Sequence, residues 1–360
     1  MNFYNLKNQD LSFRKKVIKN LDKLMLKGQF IMGSEVSILE EKLSNFVGSK
    51  HCISTSSGTD ALLLALMASN IKKGDEVITT PFTFVSTVEV IKLLGAKPVF
   101  IDINSKTFNI DEDKIENKIT KKTKAIIPVS LFGQAPNFSK ISSLIKNRKI
   151  VIIEDAAQSF GSKQNNKFSC NLSTIGCTSF FPTKPLGCYG DGGACFTNNK
   201  RIAKKLKQLR THGQKKKYSY SQVGINARMD TIQASILLEK LKFFNSEIKL
   251  RNNVAKNYNK LINLSKKKIK FPFIEKRNKS VYAQYSILLK NRKKTIENFK
   301  KKKIPFAIYY PHPIYFYKPY KKYKTNCPVC EDICKKIISL PMHPYLKVRD
   351  QKYIIDNIID

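Results

Sequence analysis

From residue 51 onward, apolar runs of strand length alternate with longer runs of helical spacing. "HCISTS" leads into "TDALLLALMAS", "EVITT" into "FVSTVEVIKLLG", "KPVFIDI" into "DEDKIENKI" and "KAIIPVSLFG" into "FSKISSLIKN", and "KIVIIEDAA" follows. The strand runs are nearly continuous in apolar residues, which marks strands covered on both faces of a mostly parallel sheet. "CTSFFP" and "GACFTN" predict two further strands, which makes seven. Residues 11–28 predict an opening amphipathic helix, and a long helical pattern over roughly 230–264 leaves the sheet region. The remainder, with "SVYAQYSILLK", a helix near 293–303, "IPFAIYY" and a last helix, reads as a smaller α+β domain. The expected organisation is a large α/β domain over 1–245 and a small domain over 246–360, with no internal repeat.

Composition narrows the class. At 360 residues and 42% hydrophobic the chain can bury an ample core. The longest apolar run, "ALLLALMA", is half of the roughly 18 residues a membrane helix needs. "MNFYNLKNQDLSFRKK" has no apolar stretch after its charges, so no signal peptide and a cytoplasmic location are expected, with the eight Cys reduced. The net charge of +39 raises the question of a polyanionic partner. The lysines are scattered over the whole length, and only nine of the 66 basic residues are Arg, the type suited to bidentate phosphate and base contacts. No nucleic-acid or membrane partner is therefore expected. A positive field would still speed the arrival of an anionic small substrate.

Three local features carry chemistry. In "STSSGTDALLLAL" a strand ends and a helix begins, so Gly58 would let an anion approach the free amides of the first turn, with Ser57 and Thr59 as added donors. Plain N-capping by Ser or Thr is the alternative. In "VIIEDAAQSFG", Asp155 stands at the C-terminal end of an apolar strand, where α/β sheets place their ligands. A capping Asp reads equally from the sequence. Glu154 beside it reads as structural or solvated, and Gln158 could share the side of Asp155. The third feature is Lys184. It lies among aromatics, prolines and glycines in "CTSFFPTKPLGCYGDGGACF", with no other lysine within fifteen residues on either side. A lysine in a tight, partly apolar pocket loses the stabilisation of its ammonium form and becomes a nucleophile toward an aldehyde. A phosphate anchor, a strand-end carboxylate and a solitary lysine together suit pyridoxal phosphate, whose ring nitrogen is kept protonated by a carboxylate. Three unrelated structural features remain the other reading of the residues alone.

The motifs "SGTDAL", "PFTFVST", "EDAAQSFG", "SFFPTKPLGCYGDGGA", "RTHGQ" and "NARMDTIQASILLEKL", in this order, resemble the nucleotide-sugar aminotransferases of the DegT/DnrJ/EryC/StrS type. The likeness runs from "NLKNQ" to "SLPMHPYL", nearly the whole chain. It implies a fold-type I enzyme dependent on pyridoxal 5'-phosphate. It implies that Lys184 condenses with the cofactor's aldehyde, Asp155 partners its pyridine nitrogen and Gln158 lies near its ring hydroxyl. Phe84 would stack on the ring, and Gly58, Thr59 and Ser179 would form the phosphate cup. Asn226 would reach the phosphate from the other subunit of a homodimer. Arg228, two residues on and one of only nine Arg, is expected to meet a sugar carboxylate there with its planar fork, with bracing of the "NARMD" loop or pairing with Asp230 as the other reading. "SCNLSTIGCTSFFPTKPLGCYGDGGA", "VYAQY" and "VSLFGQ" are similar to the bacterial aminotransferases acting on UDP-2-acetamido-2-deoxy-3-oxo-glucuronate for O-antigen sugars. The expected substrates are thus a UDP-keto-sugar and L-glutamate, with a 4-keto-6-deoxy nucleotide sugar as the alternative. One departure concerns "YYPHP", where many relatives read His-Tyr-Pro: Tyr309 replaces that His, and His312 lies nearby.

Two other signals are set aside. "CPVCEDIC" brings Cys327, Cys330 and Cys334 together, but zinc needs four ligands and no second pair follows, so buried thiols and no metal are expected. His212 in "RTHGQ" reads as structural, because in the resembled family the proton-moving base is the lysine.

Overall fold

The computed structural model describes residues 1–6 and 11–359. Helix α1 (Leu11–Lys27) opens the chain, and α2 (Ser34–Val47) stops at Gly48, whose φ of 73° lets its N–H turn back to Ser44. The alternating segment follows as β1 (His51–Thr55), α3 (Gly58–Ala68), β2 (Glu76–Thr79), α4 (Ser86–Leu93), β3 (Lys97–Phe100), β4 (Thr123–Ile126), α5 (Phe138–Leu144) and β5 (Val151–Asp155). Strands β6 (Ile175–Ser179) and β7 (Gly193–Thr197) complete a seven-stranded sheet of order β1-β7-β6-β5-β4-β2-β3. Strand β7 runs antiparallel to both of its neighbours, and the remaining ladders are parallel. The continuous apolar character of these strands has its expected cause: β2 is buried at all four positions, and helices cover both faces.

Helix α3 is apolar almost all round because it is enclosed. Its Ala61, Leu62, Leu64, Ala65 and Leu66 are buried between the sheet, α4 and α6 (Lys200–Leu209). The "DEDKIENKI" stretch is not a helix but two single turns, Glu112–Lys114 and Glu116–Lys118. It offers only two isoleucines to bury, too narrow an apolar face to offset the cost of a longer helix. The 230–264 pattern also divides, into α7 (Thr231–Leu241) and α8 (Phe244–Leu264). The break drops Phe244 into an aromatic cluster, its ring 5.6 Å from both Phe46 and Phe160.

Beyond α8 a second core forms on β8 (Tyr285–Leu288), α9 (Arg292–Lys301), β9 (Ile337–Leu340) and α11 (Val348–Asp356). Strands β8 and β9 pair antiparallel. Cys330 and Cys334 lie on α10 (Pro328–Lys336) and Cys327 caps it, and all three thiols are buried in the layer between the two cores. No helix among the described residues is long and apolar enough to cross a membrane.

A buried ionic knot ties α2, β1 and α6 together. Arg210, just past α6, donates to Glu40 of α2 and to the Ser54 carbonyl at 2.9 Å. Glu40 also accepts from the Ser54 amide at 2.9 Å and hydroxyl at 2.8 Å. Removing one partner of such a pair strands a charge in the interior, at about 3–5 kcal/mol. Glu40→Gln is therefore expected to lower the urea midpoint by that equivalent with little change in the slope of the transition.

Candidate active site

The site forms where strand ends meet helix starts. At the end of β5, Asp155 is buried and each oxygen of its carboxylate accepts a hydrogen bond. The Thr87 hydroxyl, in the first turn of α4, donates to Oδ2 at 2.6 Å, and the Ala157 amide donates to Oδ1 at 3.1 Å. Thr83 and Thr87 share a hydrogen bond of 2.8 Å, which fixes the Thr87 rotamer. Burial pushes the Asp155 pKa up, while Thr87, Ala157 and the charge of Lys184 work to keep it ionised.

Glu154 points to the other face of the sheet, as strand alternation requires. It is completely buried, not solvated, and accepts from Ser130 at 2.7 Å, Ser169 at 2.6 Å and the Cys170 amide at 2.8 Å. Its role is structural, and burial raises its pKa to about 7.

Lys184 is carried by the loop between β6 and β7. That loop folds back on itself through Lys184 N to Phe181 O at 2.9 Å, Cys188 N to Phe180 O at 2.7 Å and Phe180 N to Gly192 O at 2.7 Å. Its side chain lines the same cavity as Asp155. Burial lowers its pKa below the ordinary lysine range, and Asp155 opposes that shift. The lysine is thereby biased toward the free amine, the nucleophilic form.

The start of α3 supplies a wall suited to an anion. Ser57 caps the helix by accepting from the Asp60 amide at 3.0 Å, so the capping reading of this stretch holds. The cap leaves the Gly58 and Thr59 amides without intrahelical partners. The approach is tight: a Cβ on Gly58 would sit 2.7 Å from Cβ of Ser179, and one on Gly193 would sit 2.4 Å from the Ser57 carbonyl. Glycine is required at both positions to bring the helix start against the ends of β6 and β7. Thr59 bonds the Ser86 hydroxyl at 2.8 Å.

These groups line one cavity of about 970 Å³. Gly58, Thr59, Phe84, Asp155, Gln158, Ser179 and Lys184 all face it, as do Tyr309 and His312. Phe84 is 56% exposed, an apolar ring held open on the cavity wall. Gln158 is anchored at both ends, accepting from the Phe132 amide at 2.9 Å and donating to the Tyr310 hydroxyl at 3.0 Å. His312 stacks on Phe316 with ring centroids 5.7 Å apart. Tyr309 shares a 3.0 Å hydrogen bond with Tyr4. Asn226 and Arg228 do not line this cavity. Asn226 is exposed, and Arg228 is half-buried with an unpartnered Nε. His212 is exposed on the neighbouring loop and also stays outside.

Sequence reasoning missed Thr87, Tyr310 and Tyr4. Thr87 and Tyr310 sit inside motifs already singled out, one helical turn after Thr83 and one residue after Tyr309. Tyr4 had no local signal, since its partner lies 305 residues away. The residues present suit pyridoxal phosphate: a glycine-cleared helix start for its phosphate, a hydrogen-bonded carboxylate, an apolar ring and a desolvated amine converge on one cavity.

The model of the DegT/DnrJ/EryC1/StrS aminotransferase family matches residues 12–359. The chain belongs to this family. It is a pyridoxal phosphate-dependent aminotransferase. Among its relatives, the UDP-2-acetamido-2-deoxy-3-oxo-D-glucuronate aminotransferase of Pseudomonas aeruginosa is 47% identical over 98% of both chains. The UDP-N-acetyl-3-dehydro-alpha-D-glucosamine 3-aminotransferase of Acidithiobacillus ferrooxidans is 35% identical over 93% of this chain and 90% of its own. Among solved structures, a DegT DnrJ EryC1 StrS aminotransferase from Brucella abortus superposes with a TM-score of 0.94 at 38% identity, covering 99% of this chain and 98% of that one. NtdA of Bacillus subtilis, with its cofactor PMP bound, superposes at 0.92 with 28% identity, covering 99% and 84%.

The contact between α3 and Ser179 yields a test on this aminotransferase. Gly58→Ala should destabilise it by about 1–3 kcal/mol, the usual cost of overpacking. Adding Ser179→Gly should recover most of that loss, because it removes the clashing Cβ. Thermal unfolding of the two variants reads the recovery directly.

Proposed function

We propose that this enzyme transfers the amino group of L-glutamate to the 3-keto group of UDP-2-acetamido-2-deoxy-3-oxo-glucuronate, as a cytoplasmic homodimer serving bacterial surface polysaccharide synthesis. The observation that carries the sugar assignment is the 47% identity, end to end, with a relative named for that substrate. A second relative is also named for a UDP-sugar bearing a 3-keto group.

In this reading pyridoxal phosphate supplies an electron sink for the charge left at carbon when a proton departs. The amides of Gly58 and Thr59, with the Ser179 hydroxyl, hold the phosphate. Phe84 covers one face of the ring, and Gln158 stands by its hydroxyl. Asp155, kept ionised by Thr87, holds a proton on the ring nitrogen. Lys184 binds the cofactor between turnovers. With the substrate bound, the amine of Lys184 would take up the proton of the donor's α-carbon and hold it for return. In the second half-reaction the lysine moves a proton the other way, and the keto sugar becomes the amino sugar. Asn226 and Arg228 act across the dimer. Their position outside this chain's own cavity and the unpartnered Nε of Arg228 support that assignment. Arg228 meets the uronate carboxylate with its bidentate fork. The excess positive charge draws in a substrate that carries both a diphosphate and a carboxylate.

Incubating the protein with L-glutamate and candidate UDP-keto-sugars, read by mass spectrometry, tests the substrate pair. Product from a 4-keto-6-deoxy sugar alone would overturn the uronate assignment. Lys184→Ala should abolish turnover and leave no borohydride-reducible link between chain and cofactor. Asp155→Asn should fold yet slow the glutamate half-reaction by orders of magnitude. Arg228→Lys should lower kcat/KM for the uronate by roughly tenfold to a hundredfold, the loss of about 1.4–3 kcal/mol. It should hardly change the glutamate half-reaction. Stopped-flow comparison of the two halves decides, and equal damage to both would reduce Arg228 to a brace for its loop.

A further inference from the structure

Two cavities meet at Lys184. The second, of about 290 Å³, lies behind the lysine, between its loop, α8 and the turn at 343–345. It shares Tyr4, Thr183 and Lys184 with the larger cavity. Its volume is at the lower end of the roughly 300–1,000 Å³ usual for small-molecule sites.

Its walls carry polar groups that the transamination reading does not use. Arg251 on α8 is 6% exposed. Its Nη1 reaches only the carbonyls of Tyr282 at 3.3 Å and Met342 at 3.4 Å, and its Nε has no partner. Glu247 stands one helical turn earlier, a spacing at which an acid and an arginine usually join. Among the described residues, however, no ion pair within 4.0 Å engages either one. One oxygen of Glu247 instead accepts from the Tyr345 hydroxyl at 2.9 Å. His343, also 6% exposed, hydrogen-bonds the backbone of Asn2 while its Nδ1 has no partner. Burial pushes its pKa down to about 4, so at neutral pH the ring is uncharged. With one ring nitrogen donating to Asn2, the other is an acceptor.

Lys240 also lines the chamber, its ammonium donating to the Gly187 carbonyl at 2.6 Å. Beside that bonded lysine the chamber presents a buried cationic donor, a carboxylate and an acceptor nitrogen. Buried polar groups are rarely left unmatched, and a buried guanidinium without an anion is costly. A simple anion would answer Arg251 and be repelled by Glu247. A ligand bearing both signs a few ångströms apart answers all three. We infer that this chamber binds a free α-amino acid, its carboxylate on Arg251 and its ammonium facing Glu247 and His343, as a site separate from the one that reacts. Because Lys184 and Tyr4 belong to both walls, an amino acid held there places the lysine's surroundings under the control of amino-acid supply. The inference rests on the chamber's own groups and not on the sugar assignment.

The probe is α-methyl-L-glutamate, which has no α-hydrogen and cannot be turned over. The holoenzyme is titrated with it by calorimetry and, in parallel, by visible absorbance. Two sites per chain are expected, only one of which perturbs the cofactor's band, and a soaked crystal should show the silent one in the chamber. Arg251→Gln should remove the silent site and leave the band titration within about twofold. Glu247→Gln should weaken the silent site by at least about tenfold, since it removes the ammonium's partner. Should Arg251→Gln not fold, the half-buried Glu247 position carries the test alone. Tighter binding in Glu247→Gln would make the chamber a plain anion site and overturn the inference. One site per chain, or only water in the soaked chamber, would overturn it equally. Turnover with glutamate and a keto sugar is unaffected by either negative result, so the proposed reaction stands or falls on its own measurement.

Discussion

Everything at the centre of this aminotransferase depends on a carboxylate and a lysine removed from water in the same cavity. Taking either charge out of solvent costs several kcal/mol. The protein meets that cost with hydrogen bonds on one side and a shifted equilibrium on the other. Burial raises the Asp155 pKa, and Thr87 and the Ala157 amide, bonding both of its oxygens, favour its charged form against that shift. For Lys184, burial outweighs the opposing charge of Asp155 and biases it toward the neutral amine. The two groups are thus tuned for physical reasons that can be named separately. Glu154, one residue away, shows how much the sheet decides. On the opposite face it is sealed among two serines and an amide, with a raised pKa and no access to the cavity.

The frame that holds this pair is built from close backbone contacts. Gly58 and Gly193 let the start of α3 press against the ends of β6 and β7, and the loop between those strands closes on itself around Lys184. The Arg210–Glu40–Ser54 knot braces the neighbouring strand from the other side. Precision in the site therefore comes from strands, helix ends and a loop held by its own backbone hydrogen bonds.

The N-terminal arm and the second core complete the enclosure. Tyr4 bonds Tyr309 and forms part of the wall between the two cavities, and Phe3 is tied to Met342 through a backbone bond of 3.3 Å. Tyr309 thus has a partner within the chain, which gives the tyrosine at this position a structural use that a histidine would meet differently. Apart from Lys184 and Lys240, the lysines stay outside these enclosures. Their sum is a field around the molecule rather than a patch upon it.

The sequence by itself determined the layered α/β plan, because nearly continuous apolar strands and turn-delimited helices leave few other ways to bury so much apolar surface. It also determined the isolation of Lys184, the strand-end place of Asp155 and the glycine beside the first turn of α3, since each is a local signal within a few residues. Asn226 was legible only through resemblance and Arg228 through its chemistry beside it, and their reach toward a second subunit is a proposal, because a single chain leaves them outside its own cavity. Other features needed the tertiary structure. A helix read as continuous over 230–264 breaks where Phe244 finds an aromatic pocket, and the nine residues of "DEDKIENKI", six of them charged, stay as single turns for want of a face to bury. Thr87 meets Asp155 across 68 residues and Tyr4 meets Tyr309 across 305. Arg251, Glu247 and His343 come to one chamber from a helix and a turn nearly a hundred positions apart. Periodicity reports which side of an element is apolar, whereas only packing decides which polar groups end up facing one another out of reach of water.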